Sequence, residues 1–114
     1  GEQTQTLVFR RTPNVNEYTE SAVPLEFDYA LENQSQVFNK VYSFEGTVLE
    51  ILEESPAYTF TVGLKSYPSK VVQVTYYGLD TPKVGENFLI YASANGNTAE
   101  NTRLRMSAYF IYSD

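Results

Sequence analysis

The stretch Val41-Tyr42-Ser43-Phe44-Glu45-Gly46-Thr47-Val48-Leu49-Glu50-Ile51-Leu52 decides the fold. Its first half alternates apolar with polar residues, which is typical of a β-strand that has one buried face. Gly46 stands at mid-strand in the apolar series, and we expect any side chain there to collide with the neighbouring strand. After Gly46 the apolar residues occupy both odd and even positions, which is typical of a strand that turns from one face to the other. The pattern therefore predicts one long, strongly curled strand.

Four further runs share this period of two and are rich in Tyr, Phe, Val and Thr, which favour strands. Asn95-Gly96-Asn97 predicts a tight turn at the end of the fourth strand. Strict alternation in the fifth run places Phe110 and Tyr112 on the face of Leu104, and Tyr109 and Ile111 on the opposite face. The five predicted strands are Val41–Leu52, Ala57–Leu64, Val71–Tyr77, Asn87–Ala94 and Arg103–Tyr112.

Five short amphipathic strands with a curled first strand predict an all-β protein. We expect a five-stranded Greek-key barrel of the OB-fold type over residues 28–114, with residues 1–27 as an N-terminal extension. A β-sandwich is the alternative, and it would need further strands from residues 5–31. Thr6–Arg10 could form a short strand. Further along, Pro24 suits a first helical turn, and we expect an extended approach followed by a short helical turn near Tyr29–Gln34.

The composition excludes several chemistries. The 114 residues include 10 Tyr and 7 Phe but no Cys, His or Trp. Disulfides, thiol nucleophiles, Ser-His-Asp triads and Cys or His zinc sites therefore lack their reagents. The adjacent acids Glu53 and Glu54 are expected to point apart in a solvated loop rather than to form a glycosidase pair. We expect no enzyme, no catalytic residue, no metal site and no cofactor.

The charge balance bears on partners. With 14 acidic and 8 basic residues the net charge is −6, which disfavours nucleic acid without excluding a local basic patch. No apolar run approaches the length of a membrane span. Gly1 and the polar leader Glu2–Thr6 indicate that a signal or lipid anchor has been removed, and we expect a monomer or weak oligomer.

Four segments carry, in order, a Tyr-x-x-Leu turn, a lysine before the glycine-centred strand, a Gly-acidic-x-apolar strand and a closing apolar strand. They are Asp28–Asn33, Phe38–Ile51, Val84–Tyr91 and Arg105–Ile111. In these segments the sequence resembles secreted and lipid-anchored bacterial OB-fold proteins, including the tRNA-anticodon-like group. Asn39, Glu86 and Met106 depart from the family's usual residues. The resemblance implies the fold and an extracellular or envelope-attached location, but no activity, because the family shares no catalytic motif.

The candidate site follows from the fold, because OB-folds bind ligands on the outer face of strands two and three and the flanking loops. Tyrosine rings beside arginine suit bases, sugars or peptides, since rings stack and guanidinium groups reach acceptors. Alternatively, the rings only cover the outside of a small barrel. The candidate ligand-binding residues are Thr59, Thr61, Tyr67, Gln73, Thr75, Tyr77, Arg103, Arg105 and Tyr109, flanked by Asn95, Asn97, Asn101 and Tyr91.

The sequence thus favours a non-enzymatic, extracytoplasmic binding module for a peptide, glycan or protein partner. One alternative is a single-stranded nucleic-acid-binding domain, which would need a basic groove along its surface. Another is a structural accessory domain of a cell-envelope assembly, docked through an exposed strand edge or the N-terminal arm.

Overall fold

The computed structural model describes residues 15–97 and 103–114, so the predicted strand Thr6–Arg10 and Asn101 lie outside the described residues. Three short helices and a two-residue strand precede five long strands. The elements are α1 (Val15–Ser21), β1 (Val23–Pro24), α2 (Phe27–Glu32), α3 (Gln34–Val37), β2 (Val41–Glu53), β3 (Tyr58–Leu64), β4 (Val71–Tyr76), β5 (Asn87–Asn97) and β6 (Leu104–Ser113).

The five long strands form a closed barrel. Their order is β2-β3-β4-β6-β5, and β5 returns to pair with β2. All of these pairs are antiparallel except β4 with β6, which is parallel. This arrangement confirms the predicted all-β, OB-like barrel. The β-sandwich alternative is wrong, because the sheet closes on itself rather than splitting into two layers.

β2 takes part in both seams of the barrel, and Gly46 lies where they meet. Gly46 is opposite Leu64 of β3 and opposite Phe88 of β5. A Cβ at this position would lie 2.5 Å from the carbonyl oxygen of Gly63 and would also overlap Val62. The predicted collision is confirmed. Two register shifts follow in the pairing with β3, and they let the second half of β2 change faces.

Replacing Gly46 with alanine tests this close approach. Because the added methyl group meets backbone rather than a flexible side chain, we expect Gly46→Ala to lower the free energy of unfolding by about 1–3 kcal/mol. Urea denaturation followed by tyrosine fluorescence measures the change. Ser43→Ala in the same strand is the control and should shift stability by less than about 0.5 kcal/mol. Equal effects of the two substitutions would contradict a steric role for Gly46.

Inward-facing side chains from all five strands fill the barrel, and the N-terminal helices add to this core. Ala30 of α2 and Val37 of α3 are each 1% exposed. The predicted helical turn near Tyr29–Gln34 is present as these two short helices. Lys70 also ties α2 to the β3–β4 loop, since its Nζ lies 2.6 Å from both carboxylate oxygens of Asp28.

The described part of the N-terminal extension, residues 15–27, packs on the barrel rather than standing apart from it. β1 lies parallel to the start of β2, with Val23 opposite Tyr42, and the Leu25 N–H donates to the Ser43 carbonyl. The predicted boundary between residues 27 and 28 falls in the first turn of α2. α1 was not predicted, because its seven residues carry too short a pattern to identify a helix.

Two sequence predictions about the last strands are wrong. β5 does not end before Asn95 but continues to Asn97, which pairs with Leu104 after a register irregularity. In β6 the strict alternation fails after Ala108, because a second irregularity in the β5–β6 pairing inserts one residue. As a result Ile111 is buried and Tyr112 is 45% exposed, the reverse of the expected faces.

Candidate functional site

The outer surface of β4 and β6 carries most of the candidate residues in two parallel columns. Directly paired residues share a face of a sheet. Gln73 lies opposite Arg105, and Thr75 lies opposite Ser107. Tyr77 follows β4, where its N–H donates to the Ala108 carbonyl. We call this surface the wall, and its six residues are Gln73, Thr75, Tyr77, Arg105, Ser107 and Tyr109.

Aromatic rings occupy one end of the wall. The Tyr77 and Tyr109 rings are stacked, with centroids 5.5 Å apart and planes 29° apart. Tyr77 is nonetheless 52% exposed, so one face of the pair is open to solvent. The irregularity in β6 leaves Tyr109 without an opposite residue in β5, and Phe110 then pairs with Tyr91. Consecutive rings of β6 therefore both contribute to this end of the barrel surface.

Thr59 and Thr61 lie on the predicted face of β3 but are almost closed to solvent. They are 8% and 3% exposed, respectively. Thr59 is opposite Thr75, and their hydroxyl oxygens are 3.2 Å apart. Thr61 lies between Glu50 of β2 and Gln73 of β4. These two threonines therefore lie beside the wall residues Thr75 and Gln73 but are not part of the wall's accessible surface.

Tyr67 is separated from the wall's aromatic end. Tyr67 lies in the β3–β4 loop, before the start of β4, whereas Tyr77 follows the end of β4. The length of β4 separates the two ends by about 20 Å. The Lys70 ammonium group lies 4.7 Å from the centre of the Tyr67 ring, so this ring already contacts a cation of its own chain. Arg103 is half-buried just before β6. The structure thus gathers the wall residues but places Tyr67 elsewhere.

A site that the sequence did not predict adjoins the wall. The ring of Tyr18, from α1, packs edge-on against Tyr109 and Phe110 with centroid distances of 5.9 and 5.5 Å. Its hydroxyl oxygen is 2.6 Å from Ser93 Oγ and 3.4 Å from the carbonyl oxygen of Ser107, to which it can donate. Ser93 and Ser107 are directly opposite each other.

The period-two pattern could have indicated Ser107, which stands between Arg105 and Tyr109 in β6. It could not have indicated Tyr18, because nothing near α1 in the sequence predicts contact with β6, some 90 residues away.

The wall is polar but nearly neutral. Arg105 is its only charged residue, and Glu50 lies in the same row on β2, separated from Arg105 by Thr61 of β3 and Gln73 of β4. Glu53 and Glu54 are exposed near the end of β2, as expected for a solvated segment.

Within residues 15–97 and 103–114, no three His, Cys, Asp or Glu residues are grouped closely enough to hold a metal ion. No helix in the same part of the chain is long and apolar enough to cross a membrane.

Comparison with known proteins identifies no relative of this chain. The chain matches no protein-family model, no curated protein and no solved structure.

Burial of the Tyr18 hydroxyl group gives a pH-dependent stability. Burial is the largest cause that raises the pKa of Tyr18 above its ordinary value of about 10, and it exceeds the opposing effect of the Ser93 hydrogen bond. The folded protein then holds this proton more tightly than the unfolded chain. Its contribution to stability is complete below about pH 10 and is lost as the pH rises through the raised pKa.

We therefore expect the free energy of unfolding to fall above about pH 10, and to fall less steeply in Tyr18→Phe. Urea denaturation at several pH values between about 8.5 and 11.5 measures both slopes. Some pH dependence should remain in the variant, because burial also raises the pKa values of Tyr42 and Tyr76. Identical slopes in wild type and Tyr18→Phe would contradict a buried Tyr18 hydroxyl.

Proposed function

We propose that this protein is a non-enzymatic binding module and that the wall is its contact surface for a peptide, glycan or protein partner. One observation carries the proposal: the Tyr77–Tyr109 stack, in which Tyr77 is exposed, is followed along the paired strands β4 and β6 by the hydroxyl groups of Thr75 and Ser107 and then by the Arg105 guanidinium group.

The wall's groups suit recognition of a neutral, polar chain. The exposed face of Tyr77 offers area for stacking against a sugar ring, a side chain or a peptide plane. Thr75 and Ser107 donate and accept hydrogen bonds, and Arg105 donates to carbonyl or carboxylate oxygens. Because these side chains stand on the strands of a closed barrel, little backbone freedom is lost when a partner binds.

The charge pattern favours such a partner over nucleic acid. A single-strand binder usually offers a basic groove that follows the phosphate backbone, whereas Arg105 is the one cation of the wall. The net charge of −6 adds a long-range repulsion of phosphate. An extracytoplasmic location, in solution or attached to the envelope, is proposed on the sequence resemblance alone. A role as an envelope accessory domain would instead use a strand edge or the N-terminal arm.

Alanine substitution at Tyr77 tests the wall. Wild-type protein is first screened on peptide and glycan arrays, and any captured ligand is titrated by calorimetry. We expect Tyr77→Ala to weaken binding about 10-fold or more, since a stacked ring contributes about 1–3 kcal/mol. Tyr29→Ala is the matched control, because Tyr29 is 51% exposed but lies on α2. It should leave the affinity unchanged.

Two outcomes would contradict the proposal. A ligand whose affinity survives both Tyr77→Ala and Arg105→Ala binds somewhere other than the wall. Binding of a labelled oligonucleotide that weakens steeply between about 50 and 200 mM salt would instead support the nucleic-acid alternative.

A further inference from the structure

We infer that the pocket filled by Tyr18 is a subsite for a tyrosine side chain of an extended peptide partner, and that α1 fills it in the free protein. We call this pocket the phenol subsite. This inference rests on the proposed function, because it identifies one chemical group of the ligand. The phenol subsite is formed by Ser93, Ser107, Tyr109 and Phe110, and Asn95 adjoins it through a hydrogen bond to Ser107.

The barrel itself supplies every one of these groups. The rings of Tyr109 and Phe110 form two sides of the space that the Tyr18 ring occupies, and both contact Tyr18 in the edge-to-face geometry that aromatic pairs favour. At the inner end, Ser93 and the Ser107 carbonyl oxygen meet the Tyr18 hydroxyl group. The subsite is therefore complementary to a phenol: two rings for its apolar body and two oxygens for its hydroxyl group.

One polar atom beside the subsite is not used by Tyr18. Asn95 donates from Nδ2 to Ser107 Oγ at 2.6 Å, but its buried Oδ1 has no hydrogen-bond partner among the described residues. A buried acceptor without a donor costs free energy. The backbone N–H of a bound peptide is a donor that could reach this acceptor, whereas Tyr18 leaves it unpaired. This spare acceptor favours a peptide over an isolated phenol.

Tyr18 is the one buried residue of α1, and its ring and hydroxyl group contact β5 and β6. Val15 is 39% exposed. The hydroxyl groups of Thr19 and Ser21 bond to carbonyl oxygens within the helix and not to the barrel. A seven-residue helix is far below the length that is stable alone in water. Opening of α1 should therefore require much less free energy than global unfolding.

The phenol subsite is continuous with the wall. Tyr109 contacts Tyr18 through an edge-to-face pair and stacks on Tyr77. Ser107 likewise belongs to both. A tyrosine of the partner placed in the subsite would direct its neighbouring residues along Thr75 and Arg105. The free protein's α1 then competes with the partner for one end of the contact surface.

The test uses the full chain and two small probes, N-acetyl-tyrosine amide and N-acetyl-phenylalanine amide. Tyr18→Ala empties the subsite, so we expect it to bind the tyrosine probe at least 10-fold more tightly than wild type. We expect the phenylalanine probe to bind at least 5-fold more weakly than the tyrosine probe. NMR titration should place the shift changes at Ser93, Ser107 and Phe110. Glu20→Ala, an exposed position on α1, is the control and should behave as wild type.

A second variant keeps the inference testable if Tyr18→Ala unfolds. Tyr18→Phe removes only the hydroxyl group, and we expect faster amide exchange in α1 and a several-fold gain in affinity for the tyrosine probe. Adding Ser93→Ala should remove the preference for tyrosine over phenylalanine.

Three results would overturn the inference: no binding of the tyrosine probe to either Tyr18 variant, equal affinity for the two probes, or a concentration-dependent dimer of Tyr18→Ala in place of probe binding. These results are independent of the array experiment. A wall ligand that depends on Tyr77 but gains nothing from Tyr18→Ala would leave the proposed function intact and exclude the subsite. Binding of the tyrosine probe without any ligand that depends on Tyr77 would support the subsite and contradict the proposed function of the wall.

Discussion

The close approach of three strands at Gly46 is the constraint on which the barrel depends. β2 must pair with β3 on one side and β5 on the other, and the two pairings overlap at this residue. A side chain here would occupy the space of the Gly63 backbone, so the seam closes only because no Cβ is present. Closure removes the free edges of β2 and β5, and it gives the outer surface a fixed curvature.

Irregular pairing gives this surface its chemistry. A perfectly alternating β6 would send Phe110 into the core and leave Ile111 outside. The inserted residue in the β5–β6 pairing instead turns Tyr109 and Phe110 outward together. Regular alternation already places Tyr109 beside Arg105 and Ser107, and the irregularity adds Phe110, the second ring of the phenol subsite, to the same surface. Part of the proposed contact surface therefore lies where the strand pairing departs from its regular pattern.

The N-terminal segment contributes at two places. α2 and α3 supply Ala30 and Val37 to the core, and Lys70 fixes α2 to the loop after β3. α1 instead places a single phenol ring on the outside of the barrel. The first contact stabilises the fold, whereas the second covers part of the proposed contact surface. The helices before the barrel strands therefore have two physical roles.

The sequence by itself determined the five strands, the curled β2 and the reason for Gly46, because period-two alternation and a missing side chain are local properties. It also determined most of the wall, since Gln73, Thr75 and Tyr77 share a parity. Only the tertiary structure decided that Thr59 and Thr61 are covered, that Tyr67 lies at the other end and that Tyr18 reaches Ser93. These outcomes depend on which strands become neighbours, on one inserted residue in β6 and on contacts between distant segments, none of which local periodicity encodes.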